Sequence, residues 1–327
     1  MATVTYLQAV REALFEEMRR DPNVIVMGED VGVMGGAFLA TEGLHKEFGP
    51  ERVIDTPISE SLIVGAGVGA AVAGLRPVVE MQFMDFISCG FDQIVNMAAT
   101  TRYRHGGRAK VPMVVRGPSG AGVRGALFHS QDPEAWFFRV PGLKVVAPAT
   151  AFDAKGLLKS AIRDDDPVIF FEHKRLYRRI KEELPEGEIL VPLGKAATKR
   201  TGKDLLIVTY GGALEWTMEA AEILAEEDKV EVEVLDLRTL LPFDLPAILE
   251  AVRRINRVLL VQEDRLTGGV MAEIAARIAE HAFDWLDAPV ARVASKDAPM
   301  PYHPAMESYV LPSPDKIVAR AREILAY

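Results

Sequence analysis

The stretch Ile54-Asp55-Thr56-Pro57-Ile58-Ser59-Glu60-Ser61 runs almost directly into Gly65-Ala66-Gly67-Val68-Gly69-Ala70-Ala71. It puts one carboxylate, Glu60, at the mouth of a crowded and nearly polar-free segment. Glu60 falls in the first turn of the helix predicted to follow, where the helix dipole stabilises an acid. Two readings stand for it: a dipole-matched surface acid, or a buried acid that shares a proton with a cofactor ring. The glycines carry a second ambiguity. Gly65-x-Gly67-x-x-Ala70 after Leu62-Ile63-Val64 imitates a dinucleotide fingerprint, with Glu80 ending the next apolar run. That reading sets a pyrophosphate on a helix N-terminus and makes the chain a nicotinamide-dependent dehydrogenase. Against it, the apolar run before the first glycine is short. The helix must also stop by Gly74 or Pro77, before a usual crossover is complete. The plainer reading is a helix of Gly and Ala that lets other backbone pack closely.

Outward from this stretch the pattern is α/β. Thr5 and Gln8 form a capping box, and Leu7, Val10, Leu14 and Met18 follow at helical spacing, which predicts a helix over 6–20. Asp21-Pro22-Asn23 ends it, and Val24–Met27 is a short buried strand. Continuous apolar runs recur at 78–83, 111–115, 144–147 and 168–171. Runs apolar on both faces and separated by helical segments predict a parallel sheet covered on both sides. The charged, Pro- and Gly-bearing stretch from Tyr177 to Lys203 marks a change of domain. Strands then alternate with helices: strands at 205–209, 230–235, 258–262 and 290–293, helices at 213–226, 246–255 and 269–281. Ser313 followed by Pro314 starts the last helix. The expectation is two α/β domains, each a mainly parallel sheet flanked by helices, over 1–185 and 204–327, with 186–203 as the linker leading into the second.

The bulk numbers set bounds. Over 327 residues, 49% hydrophobic and 26% charged, the chain has the composition of a globular protein whose core needs no disulfide or metal. The single cysteine, Cys89, excludes an intrachain disulfide and fits a reducing, cytoplasmic setting. It reads as a small packing residue. Residues 1–6 lack the basic-then-apolar pattern of a signal peptide. The longest apolar run, Leu62 to Leu75, is fourteen residues, too short to cross a bilayer. A net charge of −9 argues against a nucleic-acid partner.

His129-Ser130-Gln131-Asp132-Pro133-Glu134 is the second candidate site, downstream of the glycine-rich Gly117–Gly125. A loop histidine suits proton transfer near neutral pH, or is simply tied to loop backbone. No Gly-x-Ser-x-Gly elbow accompanies it, so a serine triad is unsupported. No histidine stands at metal-ligand spacing from another histidine or from the cysteine, so no transition-metal site is expected. Asp164-Asp165-Asp166 reads as a solvated turn, and Phe83, Phe86 and Phe91 as core, with Phe86 also a candidate pocket wall.

Many blocks in one order resemble the beta subunits of the thiamine-diphosphate-dependent 2-oxoacid dehydrogenases. They include Gly28-Glu29-Asp30-Val31-Gly32, Asp55-Thr56-Pro57-Ile58-Ser59-Glu60, Gly74-x-Arg76-Pro77, Gln82-Phe83-x-Asp85-Phe86, Asp92-Gln93-Ile94 and Arg102-Tyr103. His129-Ser130-Gln131, Pro141–Val146, Asp153–Leu158 and Leu235–Thr239 continue the match over nearly the whole chain. The resemblance implies a transketolase-like pyrimidine-binding domain followed by a transketolase C-terminal-like domain. It implies an alpha partner in a heterotetramer of two alpha and two beta chains, attached to a dihydrolipoyl acyltransferase core. The alpha chain of such enzymes holds the diphosphate and Mg2+ through a Gly-Asp-Gly motif, which this sequence lacks. By resemblance, Glu60 meets the pyrimidine nitrogen, Ile58, Gln82 and Phe86 line the pyrimidine pocket, and His129 is the active-site histidine. Glu60 is then expected to be poorly solvated, with its carboxyl pushed up by burial. The activity implied is oxidative decarboxylation of a 2-oxoacid with reductive acylation of lipoyl-lysine. Branched-chain members often carry Tyr at the position of Phe86 and Ser at that of Asp132, and acetoin-cleaving relatives share most blocks. The acyl substrate therefore stays open among pyruvate, branched-chain 2-oxoacids and acetoin. Some relatives hold a structural K+ through backbone near Val111–Val114 and the turn Ala161–Asp166, which Asp164 and Asp166 fit. A non-catalytic alternative, a subunit that only docks to the acyltransferase, is countered by the presence of both Glu60 and His129.

Overall fold

The computed structural model describes residues 3–327; Met1 and Ala2, where the reading of the start begins, lie outside the described residues. The chain forms two compact units. The first takes residues up to Ser119 together with Trp136–Leu193. Its strands are β1 (Thr3–Thr5), β2 (Val24–Gly28), β3 (Val53–Asp55), β4 (Arg76–Glu80), β5 (Val114–Ser119), β6 (Lys144–Val146), β7 (Val168–His173) and β8 (Lys181–Glu183). β1 and β8 pair antiparallel as a separate ribbon. The other six are parallel, in the order β6-β7-β5-β4-β2-β3. Every residue of β2, β5 and β7 is buried. Unbroken apolar runs require that burial when both sheet faces are covered.

The helices of this unit are α1 (Tyr6–Arg20), α2 (Leu44–Phe48), α3 (Glu60–Val72), α4 (Ala99–Arg104), α6 (Ala151–Arg163) and α7 (Leu176–Arg179). The capping box of α1 forms as its sequence dictates: the Gln8 N–H donates to Thr5 Oγ1 at 3.2 Å, and Gln8 Oε1 accepts from the Thr5 N–H at 2.7 Å. α1 packs along α6, with Ala9 in an apolar cluster with Ala151 of α6. Acid–base pairs border that contact, Lys155–Glu12 at 2.8 Å, Lys159–Glu16 at 2.6 Å and Arg163–Glu17 at 2.7 Å. β5 starts later than its apolar run, at Val114, because Val111–Met113 makes a local turn, with the Met113 N–H on the Val111 carbonyl.

The second unit takes Gly120–Ala135 and Gly194–Tyr327. It holds the start of α5 (Glu134–Phe138), then β9 (Ala197–Arg200), β10 (Leu205–Thr209), β11 (Val232–Asp236), β12 (Thr239–Leu241), β13 (Val258–Arg265) and β14 (Ala291–Ser295). The five-stranded sheet runs β14-β13-β10-β11-β9, parallel except for β9. Its helices are α8 (Ala213–Ile223), α9 (Leu245–Ile255), α10 (Val270–Ala282), α11 (Pro304–Val310) and α12 (Pro314–Leu325). Ser313 caps α12, accepting from the Lys316 N–H at 3.3 Å. The division differs from a simple cut in sequence. Residues Ala197–Arg200, read as linker, form an edge strand on β11, and Gly120–Ala135 belongs with the second unit. The physical reason for the latter is a set of bonds to later residues, described below. Among the described residues, no helix is long and apolar enough to cross a membrane.

Candidate functional site

In the first unit the chain passes from β2 to β3 on one side, then returns past β2 to β4 and moves on to β5. The direction of winding therefore reverses between β2 and β4. Loops leaving those two strands part there, the place at the carboxyl ends of the strands where open α/β sheets bind ligands. Glu29 follows β2, Glu60 opens the helix after β3, and Gln82 and Phe86 follow β4.

Local geometry ties these segments together. The Gly32 N–H donates to Asp55 Oδ1 at 2.6 Å, fixing the loop of Glu29 to the end of β3. Ser61 Oγ donates to the Cys89 carbonyl at 2.5 Å, joining the first turn of α3 to the 3₁₀ segment Met84–Gly90 that carries Phe86. Gly90 packs against Val64 and the Glu60 carbonyl so closely that an added Cβ would lie 2.7 Å from Val64 Cγ2. Glu60, Gln82 and Phe86 are each half-buried, and Ile58 is 83% exposed. Glu29 is buried, and its carboxyl is pushed up by that burial and by the charges of Glu60 and Asp30. An acid raised by burial and by a neighbouring acid at a switch point is a candidate for proton chemistry. In the sequence Glu29 and Asp55 stand out only by their acidic character at the ends of β2 and β3.

Below these loops Arg116 of β5 is fully buried and bonded to two carboxylates, Glu80 of β4 and Glu172 of β7. The Tyr177 hydroxyl donates to Glu172 at 2.7 Å. Burial, only partly offset by Arg116, pushes the Glu80 carboxyl up. Glu80, the acid of the dinucleotide reading, is therefore a partner of Arg116.

The dinucleotide reading fails on position. Gly65, Gly67 and Ala70 lie inside α3, well past its start at Glu60, whereas the fingerprint needs its glycines in the turn between strand and helix. Close packing explains Gly67, where a Cβ would meet Met113 Sδ and Val79 Cγ1 at 2.8 Å. Gly69 faces open space. Cys89 is exposed, so it is not the packing residue its type suggested. Phe91 is 39% exposed and leans on Phe137, with ring centroids 5.5 Å apart, so it borders the core.

The turn at 161–166 is an ion-pair cluster. Lys144 Nζ donates to both oxygens of Asp164 at 2.6 Å, and Arg102 pairs with Asp166 at 2.5 Å. Arg76 donates to the carbonyls of Ile162 and Asp164 and to Asp165 Oδ1, at 3.0, 2.9 and 3.0 Å. The side chains of Asp164 and Asp166 are therefore neutralised by cations of the chain itself. The carbonyls of Val111 and Ala161 accept from the Met113 and Asp164 N–H groups, at 2.8 and 3.2 Å.

His129 stands in the second unit, half-buried, just after the 3₁₀ turn Ala126–Phe128. Gly125 permits the chain to fold back on it, since a Cβ there would lie 2.8 Å from His129 Cβ. Nearby in sequence, Glu134 is 1% exposed and accepts from the Tyr210 hydroxyl at 2.6 Å. Burial, with the charges of Asp132 and Asp264, pushes the Glu134 carboxyl well up. Burial also raises Asp264 to about 6. Asp132 and Glu134 belong to the block of His129, whereas Asp264 is distant along the chain and no local pattern links it to them.

Two family models match: transketolase, pyrimidine binding domain, over residues 2–180, and transketolase, C-terminal domain, over 194–317. The 2-oxoisovalerate dehydrogenase subunit beta of Bacillus subtilis (strain 168) is 51% identical over 328 residues, covering 100% of both chains. The pyruvate dehydrogenase E1 component subunit beta of the same organism is 46% identical, again over 100% of both. That of Rhizobium meliloti (strain 1021) is 47% identical over 99% of this chain and 70% of its own. A solved split-gene transketolase, an inactive beta4 tetramer, superposes with a TM-score of 0.79 at 22% identity, covering 99% of this chain and 98% of its own. That likeness reports the fold, while the first three establish descent: the chain belongs to the beta subunits of the 2-oxoacid dehydrogenases, on transketolase pyrimidine-binding and C-terminal domains.

Proposed function

We propose that this chain is the half of a two-chain 2-oxoacid dehydrogenase that receives the aminopyrimidine of thiamine diphosphate, with Glu60 against the ring nitrogen. The observation that carries this reading is the place of Glu60, at the switch point of a parallel sheet, electrostatically linked to the buried Glu29. The donor set suits a flat heterocycle: a carboxyl to share a proton, the Gln82 amide to bond a ring substituent, and Phe86 and Ile58 to cover its faces. When bound, thiamine diphosphate would supply a nucleophilic carbon that adds to the 2-oxo group and a cationic ring that takes up the electron pair left when CO2 departs. Glu60 holds the proton at the ring nitrogen and so selects the tautomer that can act as base. Glu29, its carboxyl raised by burial and by the charge of Glu60, is the neighbouring acid. His129 orients the acyl group or passes a proton during transfer to a lipoyl group.

No Gly-Asp-Gly motif is present, so the diphosphate and Mg2+ are assigned to an alpha partner, in an assembly of two alpha and two beta chains bound to a dihydrolipoyl acyltransferase. A structural K+ near Val111, Val114 and Ala161 would rest on carbonyls, because Lys144 and Arg102 already take the carboxylates of Asp164 and Asp166. For the substrate, a branched-chain 2-oxoacid is favoured by the higher identity to the 2-oxoisovalerate subunit, 51% against 46% for the pyruvate subunit of the same organism.

The test is a substrate panel on the chain assembled with its alpha partner, with CO2 release as readout. Branched-chain 2-oxoacids should be turned over with higher kcat/KM than pyruvate or acetoin. A preference for either of the latter overturns the substrate assignment. In the same assembly His129→Ala should lower transfer to lipoyl by about 100-fold or more, the scale of a lost general acid or base. Decarboxylation with an artificial electron acceptor should suffer less. Equal rates in both assays would make His129 structural.

A further inference from the structure

We propose that Glu307, together with Glu263, is a positioning residue that holds the loop leading to His129. For its effect on turnover the proposal rests on the reading of His129 given above; for its effect on the loop it does not. The glycine-rich loop is strapped to two carboxylates that come from much later in the chain. The N–H groups of Gly122 and Arg124 both donate to Glu307 Oε1, each at 3.2 Å. One residue before Gly122, the Ala121 N–H donates to Glu263 Oε1 at 2.6 Å. Glu307 lies on the short helix α11, and Glu263 near the end of β13.

Three further observations show that the strap is built. Glu307 is 5% exposed and Glu263 3%, so each carboxylate has given up water and depends on such bonds in its place. The Ala121 side chain, 0% exposed, sits in an apolar cluster with Met300 before α11, Val310 at its end and Leu311 just after it. The loop also carries Arg124 at φ +62° and Ala126 at φ +60°. Left-handed backbone at residues with a Cβ persists where the surroundings over-determine it. The strap supplies that constraint on one side. The Tyr210–Glu134 bond, at 2.6 Å, fixes the other side of His129. Holding the loop is thus a task of the second unit, carried by residues outside every block that identified the family.

The experiment is limited trypsin digestion of the full chain under native conditions, following the fragment that ends at the exposed Arg124. Glu307→Ala removes the acceptor of two N–H groups and should cleave at least about tenfold faster, the factor that the loss of even one charge-assisted hydrogen bond gives in a local opening equilibrium. Glu307→Gln retains an acceptor oxygen and should stay within about threefold of the unsubstituted chain. Cleavage of Glu307→Ala at the unsubstituted rate overturns the proposal. Should Glu307→Ala fail to fold, amide exchange in the unsubstituted chain decides: protected Gly122 and Arg124 amides support the strap, and exchange at unstructured rates overturns it. His129→Ala should leave cleavage unchanged whatever it does to turnover. If it also leaves turnover unchanged while Glu307→Ala still opens the loop, the strap stands and the reading of His129 falls.

Discussion

Single residues in this chain owe their properties to the elements that bury them. Asp264 shows this most plainly. It is 9% exposed, and burial raises it to about 6. An acid raised in the folded state binds its proton more tightly there than in the unfolded chain. Its contribution is therefore fully present below the unfolded pKa, about 3.9, and is lost as pH rises through about 6. The loss amounts to about 3 kcal/mol. Asp264→Asn should flatten urea-denaturation stability between about pH 4 and 6. A slope equal to that of the unsubstituted chain would show that Asp264 is not the titrating group. Glu29 follows the same logic beside Glu60, and there the shared charge serves the proposed chemistry.

At the scale of elements, α3 separates two uses of glycine within a few residues. Gly67 lets the helix touch Val79 and Met113, while Gly69 faces open space. Gly67→Ala should cost about 1–3 kcal/mol by overpacking. Gly69→Ala should gain about 0.5–1 kcal/mol in the chain alone, through reduced freedom of the unfolded state. Equal effects at the two positions, read by urea denaturation, would refute this division. The same helix shows how far the sequence could be read. Continuous apolar runs and the Thr5 and Ser313 caps are local signals, and they mark their elements closely. Whether a glycine packs or lies open depends on what crosses it, here Val79 and Met113, and no local pattern reports that. The edge strand Ala197–Arg200 was hidden for the same reason, since it is charged, half-exposed and defined by its partner β11. In the candidate site, Glu60 and His129 were legible because they sit in continuous blocks. The strap from Glu263 and Glu307 was not, because its two halves meet only in the folded second unit.

For the molecule as a whole, two transketolase-type units divide the labour: a parallel sheet whose switch point presents Glu60, and a second unit that holds the loop of His129. In the proposed mechanism the Glu60 carboxyl holds the proton at the cofactor ring. The most direct measurement is decarboxylation by Glu60→Gln in the assembly with the alpha partner, using an artificial acceptor at saturating thiamine diphosphate. Glutamine keeps the shape and removes the exchangeable acid proton. The rate should fall by about 1,000-fold while the cofactor still binds, within the range for a lost general acid or base. A rate within about threefold of the unsubstituted enzyme would contradict the assignment, because so small a loss is far below what proton transfer contributes.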